Sequence, residues 1–99
     1  MTEMDKLENY LKEHGYPYER IIIDEGLIMF GMNLGKRDQI VVYKDDKRDW
    51  DAICQPGSYG YEQGLLEVMG DRVVRSSDCD SVCGYLTAQQ VIDRLEGKT

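Results

Sequence analysis

Three cysteines, one histidine and nineteen carboxylates are the side chains of this 99-residue chain with the most chemistry to offer. Cys79 and Cys83 stand in a C-x3-C spacing beside Asp78 and Asp80, and Cys54 lies in a different segment. Structural zinc takes four ligands, usually with tight pairs such as C-x2-C, so this set does not predict a metal centre. A cysteine nucleophile needs a base to take its proton. His14 is the sole histidine, and its place at the end of a predicted helix gives it no reason to meet a particular thiol. Cys54 reads more simply as a small core residue. No carboxylate pair sits in the kind of apolar stretch that drives two pKa values apart. The stretches GMNLG and GSYGYEQG lack the lysine and Ser/Thr of a P-loop and the G-x-G-x-x-G spacing of a dinucleotide fold. GSYGY also lacks the G-x-S-x-G order of a nucleophile elbow. The residues therefore predict no catalytic group, cofactor or metal. The rival is an enzyme or metal protein working through Cys54, Cys79 or Cys83.

Binding residues are easier to nominate. In GSYGY, Gly57 and Gly60 allow a sharp turn, and Tyr59 and Tyr61 are rigid amphipathic rings of the type enriched at interfaces. Either the rings project as anchors, or they lie over the sheet beside Trp50 with their hydroxyls in water. One ring buried and the other exposed would satisfy both. The second candidate is KDDKRDWD, Lys44 to Asp51. Asp45, Asp46, Asp49 and Asp51 could present a row of negative charge to a basic groove. The interleaved Lys44, Lys47 and Arg48 favour a plain solvated hairpin.

These residues need elements to hold them. Met4, Leu7, Tyr10 and Leu11 mark one face of a helix over Thr2 to His14, capped by Thr2 with Asp5 three residues on. Its other face carries Lys6, Glu8, Lys12 and Glu13, with Glu8 and Lys12 spaced for an i,i+4 pair. Gly15 and Pro17 end it. YERIII, LIMFGM, QIVVY and RDWDAIC follow as four short strands with tight polar connections, an antiparallel meander. Within the last, Trp50, Ala52 and Cys54 share one face, and Asp49 and Asp51 take the other. YEQGLLEVMG predicts a short middle helix with Leu65, Leu66 and Met69 as its apolar stripe, closed by Gly70. RVVRS is a candidate fifth strand, SDCDS a loop, and VCGYL a strand or an extended lead-in. Thr87 and Gln90 form a capping box for a final helix that buries Val91, Ile92 and Leu95. The expected fold is a single α+β domain over residues 1–99. It has an antiparallel sheet of about four strands with N-terminal, middle and C-terminal helices.

Net charge is -7. An acidic chain is a poor match for nucleic-acid phosphates and a good one for a basic protein. The odd cysteine count, with no basic and apolar leader in MTEMDKLENY, predicts reduced thiols in the cytoplasm. The apolar runs at Ile21–Ile23 and Leu27–Met32 are too short to cross a bilayer.

WDAICQPGSYGYEQGLLEVMG, with DSVCGYLTAQQVIDRLE after it, resembles small acidic proteins of phages and mobile elements of Gram-positive bacteria. Within that group the chain looks like the type II-A anti-CRISPR inhibitors, over roughly residues 38–96. The resemblance implies a stoichiometric, non-catalytic inhibitor working in the cytoplasm of a bacterial host. Its partner would be a type II CRISPR nuclease, whose engagement of guide RNA or DNA it hinders by occupying basic channels. It would not bind nucleic acid directly. An accessory protein that binds another host protein is the alternative. Oligomeric state is not legible.

Overall fold

The computed structural model describes residues 1–23, 28–29, 32–33, 37–74 and 82–98. The chain is α+β. A five-stranded antiparallel sheet comprises β1 (Tyr18–Ile23), β4 (Arg37–Lys44), β5 (Lys47–Cys54), β6 (Leu66–Met69) and β7 (Val82–Leu86), side by side in that order. β2 (Ile28–Met29) and β3 (Met32–Asn33) pair with each other in a separate two-stranded sheet. LIMFGM, expected as one strand of the meander, thus holds parts of two strands. The described α-helices are α1 (Glu3–Glu13) and α2 (Ala88–Leu95).

Both helices begin as expected. Thr2 and Asp5 form a capping box for α1, and Thr87 and Gln90 form one for α2. Their apolar stripes, Met4, Leu7 and Leu11 from α1 and Ala88 and Val91 from α2, join a single cluster with Ile40, Val42, Trp50, Ala52, Leu66 and Val68. The helices therefore cover one face of the sheet. They run in the same direction. Near their starts, Glu3 Oε1 accepts the Ala88 N–H at 2.8 Å; near their ends, the Tyr10 hydroxyl donates to Glu96 at 3.2 Å. On the opposite face, register sets Glu19, Val41, Asp51, Met69 and Val82 in one cross-strand row.

The middle helix is not formed. Tyr61–Gln63 make one 3-10 turn, and Gly64, left-handed at φ +72°, stops it. The chain then enters β6, where Leu66 and Val68 are buried and Glu67 and Met69 face outward. That period of two overrides the i, i+3 spacing of Leu66 and Met69, which mimics a helix. RVVRS is corrected as well. Arg72 and Val73 lie in a turn whose Val73 and Val74 N–H groups donate to the Gly70 carbonyl at 3.1 and 2.9 Å. The rest of that stretch lies outside the described residues, as does SDCDS.

α1 is fastened to the sheet by one arginine. Arg20, on β1, meets Asp38 of β4 in a two-pronged contact, Nε–Oδ1 3.0 Å and Nη2–Oδ2 2.7 Å. Its Nη1 donates to Asp5 and Glu8 of α1, each at 2.9 Å. Glu8 also accepts the Tyr18 hydroxyl at 2.9 Å. The expected Glu8–Lys12 surface pair is thus replaced by an inward contact, because a guanidinium with three carboxylates is the stronger partner.

Asp45 and Asp46 form the two-residue β4–β5 connection, both with positive φ, +53° and +63°. A tight hairpin of this kind wants left-handed residues at both central positions and favours glycine at the second. Asp46→Gly is therefore expected to stabilise the protein by about 1 kcal/mol, raising the thermal midpoint by roughly 4–8 °C. A lowered midpoint would contradict this assignment of the turn.

Candidate functional site: a tyrosine corner at the end of the sheet

The connection from β5 to β6 is built around its glycines. Ser58 closes the first turn: its hydroxyl donates to the Gln55 carbonyl at 2.7 Å and accepts the Gln55 N–H at 3.1 Å. Gly60 then turns the chain at φ +98°, and its carbonyl accepts from Gln63 and Leu65. Between these turns Tyr59 is held on three sides. Its N–H donates to Glu67 at 3.1 Å, and its carbonyl accepts the Tyr85 N–H of β7 at 3.3 Å. A Cβ at Gly84 would overlap the Tyr59 side chain, so glycine there is what lets the ring lie against β7.

Tyr85 is the odd residue of the corner. It sits at φ +58°, a conformation uncommon for any residue with a Cβ and an outlier for an aromatic one. The register of β6 against β7 shifts between Leu66 and Val68, where this backbone departs from the strand. The result is a pair of outward rings. Tyr59 is 57% exposed and Tyr85 58%, with centroids 6.3 Å apart and planes inclined by 30°. Tyr61 is half-buried beside them. The hydroxyls of Tyr10 and Tyr18 are spent on Glu96 and Glu8. Those of Tyr59, Tyr61 and Tyr85 have no hydrogen-bond partner among the described residues.

The structure does not gather the nominated residues into one place. Asp45 and Asp46 are exposed at one end of β5, and the tyrosines follow its other end. Eight strand residues separate them, roughly 25 Å. Asp49 is the unpaired residue where the β4–β5 register shifts, and its carboxylate is held by Arg72. Asp51 accepts from Gln39 at 3.0 Å and from Arg48 at 3.5 Å. Of the four aspartates, Asp45 and Asp46 are exposed and have no side-chain partner among the described residues. One of the two readings of the tyrosines laid one or both rings over the sheet beside Trp50. Instead Trp50 is buried under the helices, and Tyr59 lies on β7.

Sequence reading missed Tyr85, the second ring of the pair. The signal was present, since VCGYL repeats the Gly-Tyr dipeptide of the loop it packs against.

The thiols divide. Cys83 is disulfide-bonded, which overturns the expectation of reduced cysteines for that residue, and Cys54 is free. Cys54 opens on a cavity of about 370 Å³ lined also by Thr2, Met4, Asp38 and Tyr61. Burial pushes its thiol up, and the Asp38 charge adds to the shift. An activated cysteine needs the opposite shift. The cavity adjoins the start of α1, whereas His14 caps its end, roughly 15 Å further along the helix. There the ring stacks on Tyr10 at 4.1 Å. Among the described residues no group of three or more His, Cys, Asp or Glu side chains could hold a metal ion. Nor is any helix there long and apolar enough to cross a membrane.

No protein-family model, curated protein or solved structure matches the chain.

Proposed function

We propose that the chain is a non-catalytic inhibitor that docks its tyrosine corner on a basic protein surface; the bacterial cytoplasm as its place rests on the sequence resemblance, since the Cys83 disulfide removes the thiol argument for it. The partner in this reading is a type II CRISPR nuclease, whose contact with guide RNA or DNA the docked chain hinders. The observation that carries the docking role is the Tyr59–Tyr85 pair. Two large rings stand in solvent with unpartnered hydroxyls, and one is kept there in a backbone conformation that costs energy. Strain of this kind concentrates at sites of function. Rigid aromatic rings are also the commonest anchors of protein interfaces. The nuclease as partner rests on the sequence resemblance and on the net charge of -7, which favours association with a cationic channel.

The separation of the two candidate regions assigns them different work. The Asp45–Asp46 tip acts at a distance on the rate of encounter, and the tyrosines act in the formed contact.

The test adds purified protein to several type II nucleases before and after guide loading and measures DNA cleavage. Inhibition is expected. Tyr59→Ala and Tyr85→Ala are each expected to weaken binding by about thirtyfold, mainly through faster dissociation. Asp45→Lys with Asp46→Lys should slow association at low salt and leave dissociation nearly unchanged. Undiminished cleavage at excess protein, in either order of addition and with every nuclease tried, would remove the nuclease as the target.

A further inference from the structure

The same corner encloses a concavity of about 240 Å³ whose lining includes Tyr59, Tyr61, Tyr85, Ser58, Glu62 and Gln63. The one charge among these residues is the Glu62 carboxylate, which is exposed and has no hydrogen-bond or ion-pair partner among the described residues. Three tyrosines and an unpaired carboxylate lining one hollow attract a cation. The face of each ring is negative, and a cation within about 6 Å of the centroid is drawn to it. With Tyr59 and Tyr85 centroids 6.3 Å apart, a cation placed between them lies within reach of both rings.

We infer that this hollow is a receptor for the guanidinium of an arginine side chain supplied by the partner. This rests on the reading of the chain as a binder of basic protein surfaces, and it names the group that the surface contributes. Arginine fits better than lysine for two reasons. Its planar head stacks on a tyrosine ring and still points N–H groups at a carboxylate. It is also more weakly hydrated than an ammonium, so it loses less on leaving water. The unpartnered tyrosine hydroxyls and the Glu62 oxygens are the acceptors its N–H groups would meet. Arg20 shows the carboxylate half of this chemistry within the chain, through Asp5, Glu8 and Asp38.

The experiment uses the intact protein and three short blocked peptides, Gly-Arg-Gly, Gly-Lys-Gly and Gly-citrulline-Gly, followed by amide NMR shifts. The arginine peptide should move the signals of Tyr59, Gly60 and Tyr85, saturating in the millimolar range. Citrulline, which keeps the shape and loses the charge, should bind at least about tenfold more weakly. Lysine should fall between them. Tyr85→Leu should abolish the response. Glu62→Gln, at an exposed position that does not threaten folding, should weaken it about fivefold and flatten its salt dependence.

Equal responses to arginine and citrulline, or shifts confined to other residues, would overturn the inference. Selective arginine binding without nuclease inhibition supports the receptor and removes the nuclease as its partner. Inhibition that persists in Glu62→Gln and Tyr85→Leu, with no arginine preference, overturns the receptor and leaves inhibition standing.

Discussion

Arg20→Met is expected to destabilise the protein by about 3–5 kcal/mol. The arginine side chain is 11% exposed and that of Asp38 10%, so the change strands a carboxylate that is nearly out of water. A domain of this size has about 5–15 kcal/mol of stability to lose. The variant should therefore lie close to unfolding at room temperature. Arg20→Met combined with Asp38→Leu should recover most of the loss, because the stranded charge goes with its partner. A urea titration of the two single variants and the double variant reads this coupling directly.

The same cluster sets an acid response. Hydrogen bonds from Arg20 first, and from Thr2 next, hold the Asp5 carboxyl down at about 2, against an ordinary value of 3.8. Glu8 is also lowered; burial works against the shift, and the Arg20 and Tyr18 hydrogen bonds outweigh it. A carboxyl whose pKa is lower folded than unfolded contributes stability that is complete above its unfolded value. That contribution is lost as pH falls toward the folded value. The wild-type protein should thus lose stability steeply between pH 4.5 and about 2, and Arg20→Met should lose less over that window. A parallel decline in the two proteins would refute the assignment.

Gly70→Ala is the second large effect, about 3 kcal/mol and roughly 12–24 °C in thermal midpoint. Gly70 sits at φ +127°, and a Cβ there would stand 2.5 Å from Trp50 Cβ and 2.8 Å from the Asp49 carbonyl oxygen. Neither can retreat: Trp50 is 1% exposed in the middle of the core, and Asp49 lies in the adjoining strand. Gly64→Ala is the control. Gly64 is at φ +72° with nothing within 4 Å, so only backbone strain of about 1 kcal/mol is expected. Equal losses in the two variants would show that the Trp50 contact does not matter.

These sites differ in how far sequence could reveal them. Both helix starts were legible because a capping box is written within four residues. β1 and β4 were legible because β-branched runs stood between short polar turns, and β5 because Trp50, Ala52 and Cys54 alternate with polar neighbours. β6 was misread because Leu65, Leu66 and Met69 satisfy a helical spacing. Gly64 and the alternation through Val68 decided the outcome against it. The Arg20 cluster was out of reach. Its partners come from positions 5, 8 and 38, and only the pairing of β1 with β4 under α1 assembles them. The tyrosine corner was half legible. GSYGY announced Tyr59 and Tyr61, but Tyr85 joins them through a strand register that no local pattern encodes.

Two helices lying side by side in the same direction have their peptide dipoles aligned, so like poles face each other at both ends. At the starts, where positive ends meet, Glu3 is shared: it belongs to the first turn of α1 and accepts the Ala88 N–H of α2. Its carboxyl is lowered chiefly by that hydrogen bond, then by the one from Lys6. One anion therefore neutralises two positive poles. At the other ends Lys12 and Arg94 supply the opposite sign, which is how this chain tolerates an orientation that antiparallel helix pairs avoid.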